Sequence, residues 1–169
     1  MTHSVCLLLG SNIKPEENLF QAMMLLQREV TVIRSSSIWE SEAVGSEGPN
    51  FLNAAVLVQS TCGKILLKEQ VCRPLEAMLG RIRTQDKNAP RTIDIDLILF
   101  DGQVVDPSLW VHAYVAVPVS EILPDYRSED GQSLGYFAHK QEQRSSVLLR
   151  KDLSSYPFST IFPANNEKR

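Results

Sequence analysis

The chain has 169 residues, 43% of them hydrophobic and 22% charged, with a formal net charge of −3. That length suits a single domain, 1–169, whose core needs no covalent staples. A net negative chain excludes the broad basic face that nucleic acid or an anionic membrane requires, so a phosphate-bearing ligand must meet a local basic cluster or metal ions.

Cys6, Cys62 and Cys72 form no C-x-x-C pair and read as reduced thiols. The start, MTHSVCLLLGSN, has too few apolar residues for a secretory or spanning segment, which predicts a cytoplasmic protein with no membrane partner. Val5 to Leu9 reads as a short buried strand halted by Gly10. KPEENLFQAMMLLQRE reads as a helix capped by Asn12 or the residues just after it. Pro15, Glu16 and Glu17 suit its first turn, and Leu19, Ala22, Met23 and Leu26 share its core face. Val30 to Trp39 is β-prone, and VGSEGPN is a loop. FLNAAVLV predicts a strand with Phe51, Asn53, Ala55 and Leu57 on one face. GKILLKEQVCRPLEAMLGR is helical, with a core face of Ile65, Leu66, Cys72, Leu75 and Leu79, a kink or split at Pro74, and an end at Gly80.

The polar loop RIRTQDKNAP leads into PRTIDIDLILF. Strict alternation there sends Ile93, Ile95, Leu97 and Leu99 to one face and Thr92, Asp94, Asp96, Ile98 and Phe100 to the other. Asp101-Gly102 then turns a hairpin into DGQVV. YVAVPVSEILPD predicts a strand followed by a short helix, and GQSLGYFAHKQEQR another helix. Residues 145–169 carry no pattern, and NNEKR at their end reads as frayed. The order β-α-β-β-α-β predicts an α+β fold with a ferredoxin-like βαββαβ core, a mostly antiparallel sheet with helices packed on it.

Three constellations carry chemistry. Asp94 and Asp96 lie on one strand face roughly 7 Å apart, where like charges with little solvent call for a proton or a cation between them. Mg²⁺ takes one or two carboxylates and completes its shell with water and phosphate oxygens, and a carboxylate pair can serve two ions. Arg81, Arg83, Lys87 and Arg91 crowd the segment just before that strand. Beside a metal site, guanidinium forks can hold phosphate oxygens, which points to phosphoryl transfer. Phe51 and Asn53, two apart on one strand face, offer a stacking surface and an amide edge to a planar heterocycle.

LLLGSN before a helix, FLNAAV, LEAMLGR-R and above all PRTIDIDLILF-G resemble the 6-hydroxymethyl-7,8-dihydropterin pyrophosphokinase family, over about residues 4–124 and in the family's order. The resemblance implies transfer of pyrophosphate from ATP, as co-substrate, to the pterin's hydroxymethyl group in folate biosynthesis. It implies two Mg²⁺ ions on Asp94 and Asp96. Arg81, Arg83 and Arg91 would meet phosphates on a lid of residues 81–91 that includes Lys87, and Glu76 would lie near the nucleotide. Asn53 would bind the pterin with Ser41 and the backbone near Val44, between Phe51 and Tyr114. No side chain is assigned as general base. ATP and the pterin are the expected partners, of a monomer or weak homo-oligomer.

Three departures accompany the resemblance. Asn88 stands where the family usually has an aromatic. The segment between DPSLW and VHAYVAVP is short, with His112 replacing a family histidine or arginine that serves ATP. Glu40 and Glu42 place extra negative charge beside the pterin site. Two other readings follow from these: a diverged relative acting as a binding protein, and a Mg²⁺-dependent phosphotransferase on another heterocycle.

Overall fold

The computed structural model of the chain describes residues 1–45 and 47–153. Strand β1 (His3–Ser11) is buried on both faces, as expected of an interior strand. It runs two residues beyond the predicted stop: Gly10 continues the strand, in register with Asn53 on one side and Asp94 on the other. Helix α1 (Pro15–Glu29) buries the predicted Leu19, Ala22, Met23 and Leu26. Of the expected cap positions, Asn12 and the residues just after it, the fold uses the latter. Lys14 occupies that position in left-handed backbone without a side-chain cap bond. Asn12 is occupied elsewhere, accepting from the Arg91 N–H (2.8 Å) and donating to the Pro49 carbonyl (3.2 Å).

The β-prone run becomes two strands, β2 (Thr31–Ser35) and β3 (Trp39–Ser41), divided at Ser36, which exchanges hydrogen bonds with the Ala55 backbone. Both pair with opposite ends of β4 (Phe51–Ser60). The next helical run comprises α2 (Lys64–Leu67), a π-helical turn at Lys68–Cys72 and α3 (Arg73–Met78). The wide turn, in which the Arg73 N–H reaches the Lys68 carbonyl, accommodates Pro74, which has no N–H and would crowd a regular turn. The extra residue per turn also re-aims the core face. Leu67, Val71, Cys72 and Leu75 are buried, whereas the predicted Ile65 and Leu66 are exposed.

Strand β5 (Asp94–Phe100) returns through Asp101 and Gly102, both at positive φ (48° and 77°), into β6 (Gln103–Val104). Its alternation breaks. Leu7 pairs with Leu97 but Cys6 with Leu99, so Ile98 is an extra residue in a β-bulge. Ile98 and Leu99 consequently pack on the same side, and Phe100 crosses to the α1 side, reversing the predicted faces of Leu99 and Phe100.

The predicted strand at Tyr114 is instead the first turn of α4 (Ala113–Ile122), an almost wholly apolar helix that carries Pro118. Helix α5 (Leu134–Glu142) follows as expected, with the Ser133 hydroxyl accepting from the Tyr136 N–H. Residues 145–153, patternless in sequence, include the short strand β7 (Leu148–Leu149) and a 3₁₀ turn at Lys151–Leu153. The expected frayed end lies outside the described residues.

The sheet runs β6-β5-β1-β4-β3-β7, with β2 beside the other end of β4, and every pairing is antiparallel. This is the predicted α+β class, with helices on both faces. One core joins β1, β4 and β5 to α1, the π turn and α3 through Leu7, Leu9, Leu19, Met23, Leu52, Val71 and Ile95. The other lies under α4 and α5. No helix among the described residues is long and apolar enough to cross a membrane.

Candidate active site

On the α4 face, β1, β4 and β5 continue past the end of the helix, and the sheet surface they leave uncovered is the floor of a cavity of about 230 Å³. Leu8 and Gly10 from β1, Phe51 and Asn53 from β4, and Asp94 and Asp96 from β5 line that floor. Ser41, Glu42 and Val44 close one side, Lys87, Asn88 and Arg91 another, and Tyr114 at the start of α4 overhangs it. Nine predicted site residues thus meet in one space: Ser41, Val44, Phe51, Asn53, Lys87, Arg91, Asp94, Asp96 and Tyr114.

Gly10 admits them. A Cβ there would meet Asn53 Oδ1 at 3.4 Å and Phe51 at 3.8 Å, so a larger residue would fill the space between the amide and the carboxylates. Leu8 and Gly10 were not predicted as lining residues. Their signal was their place in a central strand, which alternation exposes only once both neighbours are known.

The Phe51–Asn53 side of the cavity is held by neutral bonds. The Asn53 amide donates to the Ser41 hydroxyl (2.9 Å) and the Trp39 carbonyl (3.3 Å), fixing its orientation across the β3–β4 ladder. Asn53 is 3% exposed, so its side-chain oxygen must find its partner in the cavity. The Phe51 ring lies beneath the Arg91 guanidinium, 5.7 Å from its centroid.

The other side is ionic. Asp94 receives Arg81 on one oxygen and Arg91 (2.5 Å) on the other. Burial would push its carboxyl up, but those two guanidinium groups outweigh it and hold it below the usual aspartate range. Asp96 makes no hydrogen bond or ion pair among the described residues. Burial first, then the charges of Asp94 and Asp106, push its carboxyl up to about 7.

Four expected site residues stand outside the cavity lining: Glu76, Arg81, Arg83 and His112. Glu76, 3% exposed, accepts from the Ile95 N–H (2.9 Å), Arg81 (3.1 Å) and Arg83 (2.6 Å). Desolvation nevertheless raises its pKa. It anchors the base of the 81–91 segment to β5, and Arg81 and Arg83 are turned toward it. His112 precedes α4 and stacks on Tyr114, with ring centroids 5.1 Å apart. Of the two extra glutamates, Glu42 does line the cavity, but Glu40 does not. Strand alternation turns Glu40 away, where it pairs with Arg150 at 2.8 Å and Asn50 at 2.8 Å.

Among the described residues no three His, Cys, Asp or Glu side chains converge as a ready-made metal cage. The pair Asp94–Asp96 still fits a hard cation that brings most of its own ligands: a half-buried carboxylate with no hydrogen-bond or ion-pair partner among the described residues faces the cavity beside a second one. Carboxylates and cationic side chains at one end and an aromatic ring and an amide at the other are the groups that phosphoryl transfer to a flat acceptor can use.

The comparisons with known proteins give that class its family. The model of the family "7,8-dihydro-6-hydroxymethylpterin-pyrophosphokinase (HPPK)" matches residues 6–124, and the chain belongs to this family. It is 33% identical over 141 residues to the 2-amino-4-hydroxy-6-hydroxymethyldihydropteridine pyrophosphokinase of Bacillus subtilis, covering 76% of this chain and 83% of that protein. The Pseudomonas aeruginosa protein of the same name is 30% identical over 146 residues, covering 79% and 89%. The fold resembles that of wild-type Plasmodium falciparum HPPK-DHPS, with a TM-score of 0.69 at 12% identity. That match covers 85% of this chain but 42% of the other, so this chain spans less than half of that larger protein.

Proposed function

We infer that the chain transfers the pyrophosphoryl group of ATP to 6-hydroxymethyl-7,8-dihydropterin, giving AMP and the pterin diphosphate in folate biosynthesis. Family membership supports the reaction. The observation that carries the site assignment is one cavity holding the carboxylate pair at one end and the Phe51–Asn53 face at the other.

In this reading the pterin ring lies on Phe51 with Tyr114 over it. Asn53, oriented by Ser41 and Trp39, meets the heterocycle's polar edge. The acceptor's hydroxymethyl oxygen points toward the carboxylate end and attacks the β-phosphorus, displacing AMP. Asp94 and Asp96 would hold Mg²⁺, two ions in the full complex, which supply charge neutralisation on the polyphosphate. Arg91 and Lys87 meet phosphate oxygens directly. Arg81 and Arg83 reach them by leaving Glu76 and Asp94, so the 81–91 segment closes by exchanging carboxylate partners for phosphate. The walls supply position and electrostatics and form no covalent bond to substrate.

Calorimetric titration of 6-hydroxymethylpterin, with and without Mg²⁺ and a non-hydrolysable ATP analogue, tests this. Pterin binding should strengthen when both are present, and Asp96→Ala should lose that coupling. Nucleotide binding with no pterin binding would overturn the acceptor assignment. Binding of neither would overturn the whole reading.

A further inference from the structure

The segment Val147–Leu153 contributes nothing to the cavity wall, yet it grips the strand that does. β7 pairs with the outer edge of β3, Leu149 opposite Trp39 and Leu148 opposite Glu40. The Arg150 N–H then donates to the Ile38 carbonyl (3.0 Å). From that anchor the Arg150 guanidinium reaches Glu40 on β3 (2.8 Å) and Glu16 at the start of α1 (3.3 Å), and forks onto Asp152 (2.9 and 2.7 Å). Leu153, 6% exposed, closes the segment into the core beneath α1.

A lone surface ion pair contributes little, because water competes for both partners. Here three carboxylates from three parts of the fold converge on one guanidinium whose side chain is 26% exposed. What they hold is a strand of three residues, too short to define its own position. That strand supplies both acceptors, the Trp39 carbonyl and the Ser41 hydroxyl, that orient the Asn53 amide.

We propose that Arg150 is a positioning residue for the acceptor pocket: by tying Glu40 to α1 and to the segment after β7, it fixes β3 and through Ser41 sets the Asn53 amide. This rests on the pocket being the pterin site. Arg150 touches neither substrate, and its effect falls on the acceptor alone, since the carboxylates and arginines of the nucleotide end hang on β5 and α3.

The test uses the full chain with Arg150→Met and with Glu40→Val, which keeps a strand-forming side chain but no acceptor. Calorimetry measures the ATP analogue with Mg²⁺, and then 6-hydroxymethylpterin on the nucleotide-loaded protein. Each variant should bind the pterin about fivefold more weakly with nucleotide affinity unchanged, and the double variant should be no worse than either single one. Amide hydrogen exchange at Trp39–Ser41 should quicken while β1 holds. Unchanged pterin affinity in the variants overturns the proposal, as does an equal weakening of both ligands with faster exchange in every strand. If Arg150→Met does not fold, Glu40→Val decides alone. Failure of the unmutated chain to bind pterin would instead sink the proposed function, and exchange at Trp39–Ser41 would then decide whether the clamp exists.

Discussion

At the β5 end of the cavity the side chains are held by charge, Asp94 between Arg81 and Arg91 and Glu76 between Arg81 and Arg83. At the β3–β4 end they are held by neutral hydrogen bonds and strand pairing, Asn53 between Ser41 and Trp39. The ionic end is made of long side chains whose partners can be exchanged for phosphate oxygens as a nucleotide arrives. The neutral end is set by backbone and presents one arrangement to a rigid heterocycle. In the proposed function that division suits the two ligands, a flexible, highly charged polyphosphate at the ionic end and a flat neutral ring at the other.

The strongest way to break the comparison is at Asp96. Asp96→Asn keeps the shape of the ionic end but removes a negative charge, and kcat should fall by about 10²–10³-fold with the acceptor pocket intact. Single-turnover kinetics would show whether the loss lies in the chemical step. Asn53→Ala attacks the neutral end. The acceptor's Kd should rise by about 30-fold while nucleotide affinity stays within twofold of the unmutated chain, about what losing buried hydrogen bonds predicts. Equal losses on both ligands would mean that the two ends are not independent.

Glu76→Gln should sharpen the contrast from behind. It leaves Arg81 and Arg83 short of a counter-charge beside a mostly buried position, costing about 2 kcal/mol in urea unfolding and loosening the 81–91 segment. Nucleotide KM should suffer more than acceptor KM. Phe51→Leu, which keeps apolar contact but loses the stacking plane, should weaken the acceptor about fivefold. The smallest effect concerns pH. The Asn50 and Arg150 hydrogen bonds to Glu40 outweigh its desolvation and hold its folded pKa below 4.5. Its contribution to stability is therefore present above that value and is lost as pH falls through the lowered one. The Tm difference between the unmutated chain and Glu40→Val should shrink toward pH 3, and a constant difference would assign the effect to packing.

Much of the candidate site was legible because it is local. Asp94 and Asp96 share a face by the period of a strand, as do Phe51 and Asn53, and the arginines precede the aspartates directly in sequence. What was not legible arose where elements met. Alternation assigned Leu99 and Phe100 to faces that the bulge opposite Cys6 and Leu7 reverses. The β-branched run after Tyr114 reads locally as a strand, but the sheet offered it an apolar face to cover, and α4 covers it as a helix. Arg81 and Arg83 read in sequence as part of a basic loop, whereas in the fold both pair with the buried Glu76 behind them.

By itself the sequence determined the order of the core elements, the Asp101–Gly102 turn and the chemistry available at each strand end, because these depend on neighbours a few residues away. Only the tertiary structure decided that Gly10 lies between Asn53 and Asp94, that Tyr114 at the start of α4 lines the same cavity, and that Arg150 reaches back 110 residues to hold Glu40. Those arrangements come from burial and charge pairing between distant segments, for which a linear pattern carries no period.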